Sequence, residues 1–250
     1  MAVQQEKKNI TEFIRRLTKQ IPITAIEEHE VYYLLQTEKA VIILYLPGTF
    51  RMETDQAVLH IHIDYDQLMS AGVKIINRLR GLQGFGQRIY GRTTVVARID
   101  KGVSMAFQEE HHLQGALPGK YRYGLFHQGE LVSVAVFSGG RIIHALGTNY
   151  RSFELIRFCH KGDTLVVGGL SKLVKAFVGN FNPQDIMTYA DKDWAQEDSS
   201  LATIGFKVVA DLPPQRFAII RGRRFITIPE GETADYFVEN KGSLKLKLIL

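Results

Sequence analysis

Two adjacent glycines stand before an apolar, helix-patterned run in Val166–Phe177, VVGGLSKLVKAF. Glycine lets a ligand approach the backbone, and the first N–H groups of a helix have no partners within it. A pyrophosphate would satisfy them, with Lys172 adding a cationic contact. An ordinary strand-to-helix turn is the other reading. His112 ends a helix expected over 103–112, and a histidine there can take a proton from an attacking amine. A helix C-cap histidine is the alternative, since a cation there also stabilises the helix dipole. Tyr189 and Asp191 close an expected strand over 185–191, two residues apart and so on one face. Tyr189 can serve as a proton donor, and Asp191 can orient His112 or an amine, or else cap the turn that follows.

Glu154 and Arg157, three apart on an expected strand over 153–159, should point to opposite faces. Cys159 is the only cysteine, which excludes an internal disulfide and a cysteine-based structural zinc site; it reads as a small buried residue. His60, His62, Asp64 and Asp66 alternate along another expected strand. Such an array can hold a divalent metal, as a nuclease needs, but no second ligand cluster lies nearby, so no metal is expected and a polar strand face is the plainer reading. Between Lys74 and Lys101 the basic residues Lys74, Arg78, Arg80, Arg88, Arg92, Arg98 and Lys101 are opposed only by Asp100. Arg78, Arg80, Arg88 and Arg92 are expected to follow nucleic-acid phosphates, a solvated face being the alternative.

The elements that must position these groups follow from hydropathy. Apolar residues at helical spacing predict helices over 8–20 and 67–82, and β-branched and aromatic runs predict strands over 31–37, 40–46 and 57–64. The glycine-rich connector 81–87 marks a boundary, dividing the chain into 1–86 and 87–250. Beyond it come a strand (94–100), the helix 103–112, two strands within 121–140 joined at Gln128-Gly129, the strand 153–159 and the glycine turn into its helix. Strands over 185–191, 206–212, 216–222 and 243–250 follow, with a short helix or turn over 199–205. This alternation is an α/β layout in which a helix N-terminus can accept an anion.

Residues 87–99 (QRIYGRTTVVARI), 106–115, 124–137, 153–177, 185–194, 201–209 and 236–248 resemble, block by block, an uncharacterised bacteriophage domain often found behind a homing-endonuclease-like N-terminal part. That domain resembles a remote branch of the GCN5-related N-acyltransferase fold and is similar to phage DNA-modification acyltransferases of the Mom type. The resemblance implies an α/β (α+β) fold: an acyltransferase-like mixed sheet flanked by helices, behind a small degenerate nuclease-like α/β subdomain. It implies an acyl-CoA, such as acetyl-CoA, whose pyrophosphate sits at Gly168, Gly169 and Ser171, and a functional site at the C-terminal ends of the central strands. The chain departs from the pattern twice. Leu165 holds the place of the Gln or Arg that usually begins the phosphate loop, and Leu201 holds that of the Tyr expected to protonate a leaving thiolate. The alternatives to an acyltransferase are a non-catalytic DNA-binding module of a mobile element and a metal-dependent nuclease.

The chain has 250 residues, 45% hydrophobic and 23% charged, with a formal net charge of +5 and a pI near 9.2. These values exclude a disordered or collagenous chain and favour an anionic partner such as DNA. The longest uncharged apolar stretch, Ala40–Phe50, is broken by Pro47 and far too short for a membrane helix. The N-terminus lacks an apolar signal-peptide region, so a cytoplasmic location, in a bacterial host cell, is expected.

Overall fold

The computed structural model describes residues 2–54, 58–146, 150–194 and 199–250. The chain opens with α1 (Ala2–Thr18), whose Ile10, Phe13, Ile14 and Leu17 recur at helical spacing and are buried. Strands β1 (Ala25–Glu28), β2 (Tyr32–Gln36) and β3 (Val41–Tyr45) pair antiparallel in turn, and β4 (His60–Asp64) lies parallel to β3. α2 (Tyr65–Gln83) follows, burying Leu68, Ile75, Ile76 and Leu79 and kinked at Ala71.

A second series begins with β5 (Arg88–Tyr90), a 3-10 turn over Gly91–Thr93, β6 (Val95–Arg98) and α3 (Lys101–His111), whose Asp100 caps it by accepting from Val103 N–H. β7 (Tyr121–His127) and β8 (Glu130–Phe137) form the expected hairpin, with both Gln128 and Gly129 at positive φ, as a two-residue type I′ turn requires. Next come β9 (Arg141–Ile142), β10 (Arg151–His160), β11 (Leu165–Val167), α4 (Gly169–Phe181), β12 (Asp185–Asp191), α5 (Ser200–Thr203) and β13 (Lys207–Leu212). Three short strands, β14 (Arg216–Ile220), β15 (Arg223–Phe225) and β16 (Tyr236–Glu239), make a sheet of their own, and β17 (Ser243–Ile249) ends the chain.

By compactness the chain splits into two units. One comprises Met1–Gln83, Asp191–Gln196 and Asp211–Ser243; the other comprises Gly84–Ala190, Glu197–Ala210 and Leu244–Leu250. The division expected from sequence, 1–86 and 87–250, falls close to the first of these crossings. The structure adds two later excursions, 191–196 and 211–243, to the first unit. They were not legible because β15 and β16 are only 3 and 4 residues long and carry no alternation strong enough to mark a separate sheet.

The second unit is built on a mixed sheet flanked by helices. Its order is β13-β17-β12-β10-β8-β7-β6, with β9 on β10, and a two-stranded parallel ribbon pairs β11 with β5. Alternation along β8 assigns its two faces. Ala135 and Phe137 join Leu173 and Phe177 of α4, while Val134 and Val136 join Phe107 of α3. The α4 side is aromatic: Phe137 and Phe177 stack with centroids 3.9 Å apart, and Tyr123 and Phe153 meet Phe177 edge-on.

Candidate functional site

The glycine turn is built from both strands of the ribbon. Gly168 adopts the left-handed conformation (φ +74°) with open space where a Cβ would stand, and no side chain caps α4. The first intrahelical bond runs from Lys172 N–H to Gly168 O at 3.1 Å, so the N–H groups of Gly169, Leu170 and Ser171 precede the ladder. Gly169 is required for a different reason. A Cβ there would lie 3.0 Å from Val166 and 3.2 Å from Leu125, so its close approach is to the core rather than to a ligand. Lys172, expected as a phosphate contact, donates to Gly91 O (3.0 Å) and to Thr94 O. Gly91 in turn packs on the Val167–Gly168 backbone, where a Cβ would come within 3.1 Å of Val167 O. Lys172 and Gly91 together hold the 3-10 turn against the glycine turn, an arrangement no local motif announces.

The second element is a parting in the middle of the sheet. β10 pairs parallel with β12 through Ser152↔Asp185, Phe153↔Ile186 and Glu154↔Met187, and beyond that both strands run on. At the point of parting, Thr188 Oγ1 donates to Leu155 O at 2.8 Å, a side chain taking the place of the ladder. The paired end is pinned by buried Asp185, which accepts from Ser152 Oγ, from Tyr150 Oη at 2.7 Å and from Lys247 Nζ at 3.0 Å. Burial works to raise the Asp185 carboxyl, but these three donors outweigh it and hold the group below the usual carboxylate range. On its other side β10 carries a bulge between Leu155 and Arg157 in its pairing with β8. The notch so formed opens toward the C-terminal ends of two central strands.

The bulge corrects one expectation. Glu154 and Arg157 were to face opposite ways by simple alternation, but the extra residue shifts the parity. Leu155 and Phe158 both reach the α4-side core, whereas Cys159 packs on the α3 side, so Arg157 shares the Glu154 and Cys159 face. Arg157 Nε donates to Gly115 O at 3.3 Å and its Nη1 to Ile156 O at 2.9 Å, which fastens the loop 112–115 to the bulge. His112 lies in the loop so fastened. It caps α3, with its N–H donating to Gln108 O at 2.8 Å, and its Nδ1 accepts from Gln114 N–H at 3.1 Å. Tyr189, 45% exposed, stands on β12 just past the parting. Asp191 falls in the other compact unit, where its carboxylate accepts from Asp193 N–H at 3.0 Å, the turn-capping role.

The first unit treats its charges differently. Arg51 donates to both oxygens of Asp64 and, at 2.8 and 3.2 Å, to Asp193; Arg224 donates to Asp66 and, at 2.7 Å, to Asp64. Burial favours the neutral form of Asp64, yet the two guanidinium groups overcome it and keep the carboxyl below its usual value. His62 is fully buried, bonded at Nδ1 to Tyr45 Oη (2.8 Å) and without a partner at Nε2; burial depresses its pKa to about 3. Asp64 and Asp66 are thus committed to guanidinium groups, while His60 Nδ1 bonds Val58 O at 2.7 Å and His62 bonds Tyr45, and among the described residues no group of three or more His, Cys, Asp or Glu is arranged to hold a metal ion. Arg78 stacks 4.9 Å from the Trp194 ring and Arg80 donates to Gln20, while Arg88 and Arg92 are exposed on the second unit. Among the described residues no helix is long and apolar enough to cross a membrane.

No protein-family model matches the chain, and no curated protein matches it. Solved structures do. A GNAT family acetyltransferase from Elizabethkingia anophelis with acetyl-CoA bound is 13% identical, over 63% of this chain and 99% of its own, with a TM-score of 0.37. A polyamine N-acetyltransferase of Drosophila melanogaster that catalyses formation of N-acetylagmatine is 11% identical over 63% of this chain and 100% of its own (TM-score 0.40). A putative acetyltransferase from Salmonella typhimurium with its cofactor acetyl-CoA is 14% identical over 63% of this chain and 94% of its own (TM-score 0.40).

Proposed function

We propose that the second unit is an acyl-CoA-dependent N-acyltransferase. The observation that carries this reading is the conjunction, in one unit, of an uncapped helix N-terminus behind Gly168 and a sheet parted between β10 and β12. A pyrophosphate needs the first, and an extended amide-bearing arm needs main-chain groups free of a ladder, which the second supplies. Acyl-CoA, when bound, supplies an activated thioester. The N–H groups of Gly169, Leu170 and Ser171 hold its pyrophosphate, and the turn at Gly168 lets the phosphates come close. Lys172 acts from behind by fixing the 3-10 turn. His112 receives the proton of the attacking amine, and Tyr189 protonates the departing thiolate in place of the tyrosine that Leu201 replaces. Asp191 acts by shaping the turn after β12. A thiol-release assay with acetyl-CoA and a panel of amines, including nucleobase amines, tests the reading. Release with at least one amine, lowered in Tyr189→Phe and His112→Ala, is expected; no release with any amine and no acetyl-CoA binding would refute it.

A nucleic-acid-binding module is the second reading, favoured by the net charge of +5 and the exposure of Arg88 and Arg92. Its test is binding to duplex DNA with a salt slope of several charges.

A further inference from the structure

The ribbon of β5 and β11 turns one face inward and one outward. Ile89 and Val166, opposite each other, are buried, while Arg88 and Tyr90 on β5 and Leu165 and Val167 on β11 are all exposed. The register sets Arg88 directly against Leu165 and Tyr90 against Val167. Two residues beyond Tyr90, Arg92 projects from the turn that packs on the Gly168 backbone, with its guanidinium 5.1 Å from the Tyr90 ring centroid. Val167 immediately precedes Gly168. The outward face therefore runs from the glycine turn, past Arg92, Tyr90 and Val167, to Arg88 and Leu165, about 10 Å for three strand residues.

We propose that this face binds the nucleotide end of the acyl-CoA. The purine lies over Tyr90 and Val167, Arg92 adds its charge to the pyrophosphate on the α4 N-terminus, and Arg88 pairs with the 3′-phosphate. The chemistry fits: an exposed aromatic and an exposed valine offer a flat apolar platform, and two arginines flank it at a spacing a phosphorylated nucleoside can bridge. A nucleotide chain has the same bases and phosphates, but its phosphates would have no use for the uncapped helix end beside the platform, which accepts a pyrophosphate. The inference rests on the acyl-CoA reading and takes Arg88 and Arg92 away from a nucleic-acid track.

Calorimetric titration of the full chain with CoA, with dephospho-CoA lacking the 3′-phosphate, and with a single-stranded oligonucleotide tests it on wild type, Arg88→Gln and Arg92→Gln. Both side chains are solvent-exposed, and unchanged thermal unfolding would show that the variants fold. Arg88→Gln is expected to weaken CoA about tenfold, the loss of one charge-assisted contact, and to leave dephospho-CoA unchanged; Arg92→Gln should weaken both. Equal CoA affinity in wild type and Arg88→Gln, or an Arg88→Gln effect as large on dephospho-CoA, would overturn the assignment while leaving the acyl-CoA reading intact. A loss confined to the oligonucleotide would give the face to nucleic acid and overturn it too. Absence of CoA binding to wild type would remove both the assignment and the reading beneath it.

Discussion

The two units spend their polar groups in opposite ways. In the first, Asp64, Asp66 and Asp193 are buried and satisfied by Arg51 and Arg224, so these charges are spent on the fold. In the second, an aromatic core around Phe177 carries the packing, and polar groups are left available at its margins: the uncapped α4, the parted β10 and β12, the exposed Arg88 and Arg92. A catalytic unit needs groups that the fold does not consume, and a buried ionic network consumes them. Function is therefore to be sought in the second unit.

This contrast can be broken at its strongest points first. Arg51→Ala leaves Asp64 and Asp193 buried without their shared cation and should destabilise the first unit by about 3–5 kcal/mol, read by denaturant unfolding; little loss would mean that the network is not structural. Phe177→Ala should cost the second unit a similar 3–5 kcal/mol by emptying the centre of its aromatic cluster. Gly169→Ala forces a Cβ to 3.0 Å from Val166 and is expected to cost about 1–3 kcal/mol, whereas an unchanged midpoint would return Gly169 to a purely ligand-facing role. His62 sharpens the comparison by pH. Its folded pKa of about 3 lies below the unfolded value near 6.5, so the unfolded chain binds the extra proton. Stability from this group is full above pH 6.5 and falls by about 1.4 kcal/mol per unit as the pH drops toward 3; His62→Phe should flatten that slope in the first unit. Smallest of all, Glu130→Gln removes an exposed partner of Lys161 and should change the midpoint by well under 1 kcal/mol.

Much of the second unit was legible because its signals are local. The hairpin at Gln128-Gly129, the helix after Gly168-Gly169 and the β-rich runs follow from neighbouring residues. What escaped was non-local. The bulge that aligns Arg157 with Glu154, the bond from Thr188 to Leu155, the tie from Lys172 to the Gly91–Thr94 turn and the pairing of Arg88 with Leu165 depend on strands brought together from far apart in sequence. In the first unit the alternation of His60, His62, Asp64 and Asp66 read as a polar strand face rather than as part of a buried ionic network, because nothing near them in sequence announces Arg224 as a counterion 158 residues beyond Asp66.

The most direct measurement is a titration of acetyl-CoA into wild type and Ser171→Glu. A glutamate in the first turn suits the helix dipole and preserves the fold, yet places a carboxylate where the pyrophosphate would bind. The account predicts binding and thermal stabilisation of wild type by acetyl-CoA, both abolished in Ser171→Glu with its own unfolding midpoint unchanged or raised. Equal binding by the two proteins would contradict it, and so would a wild type that acetyl-CoA does not stabilise at millimolar concentration.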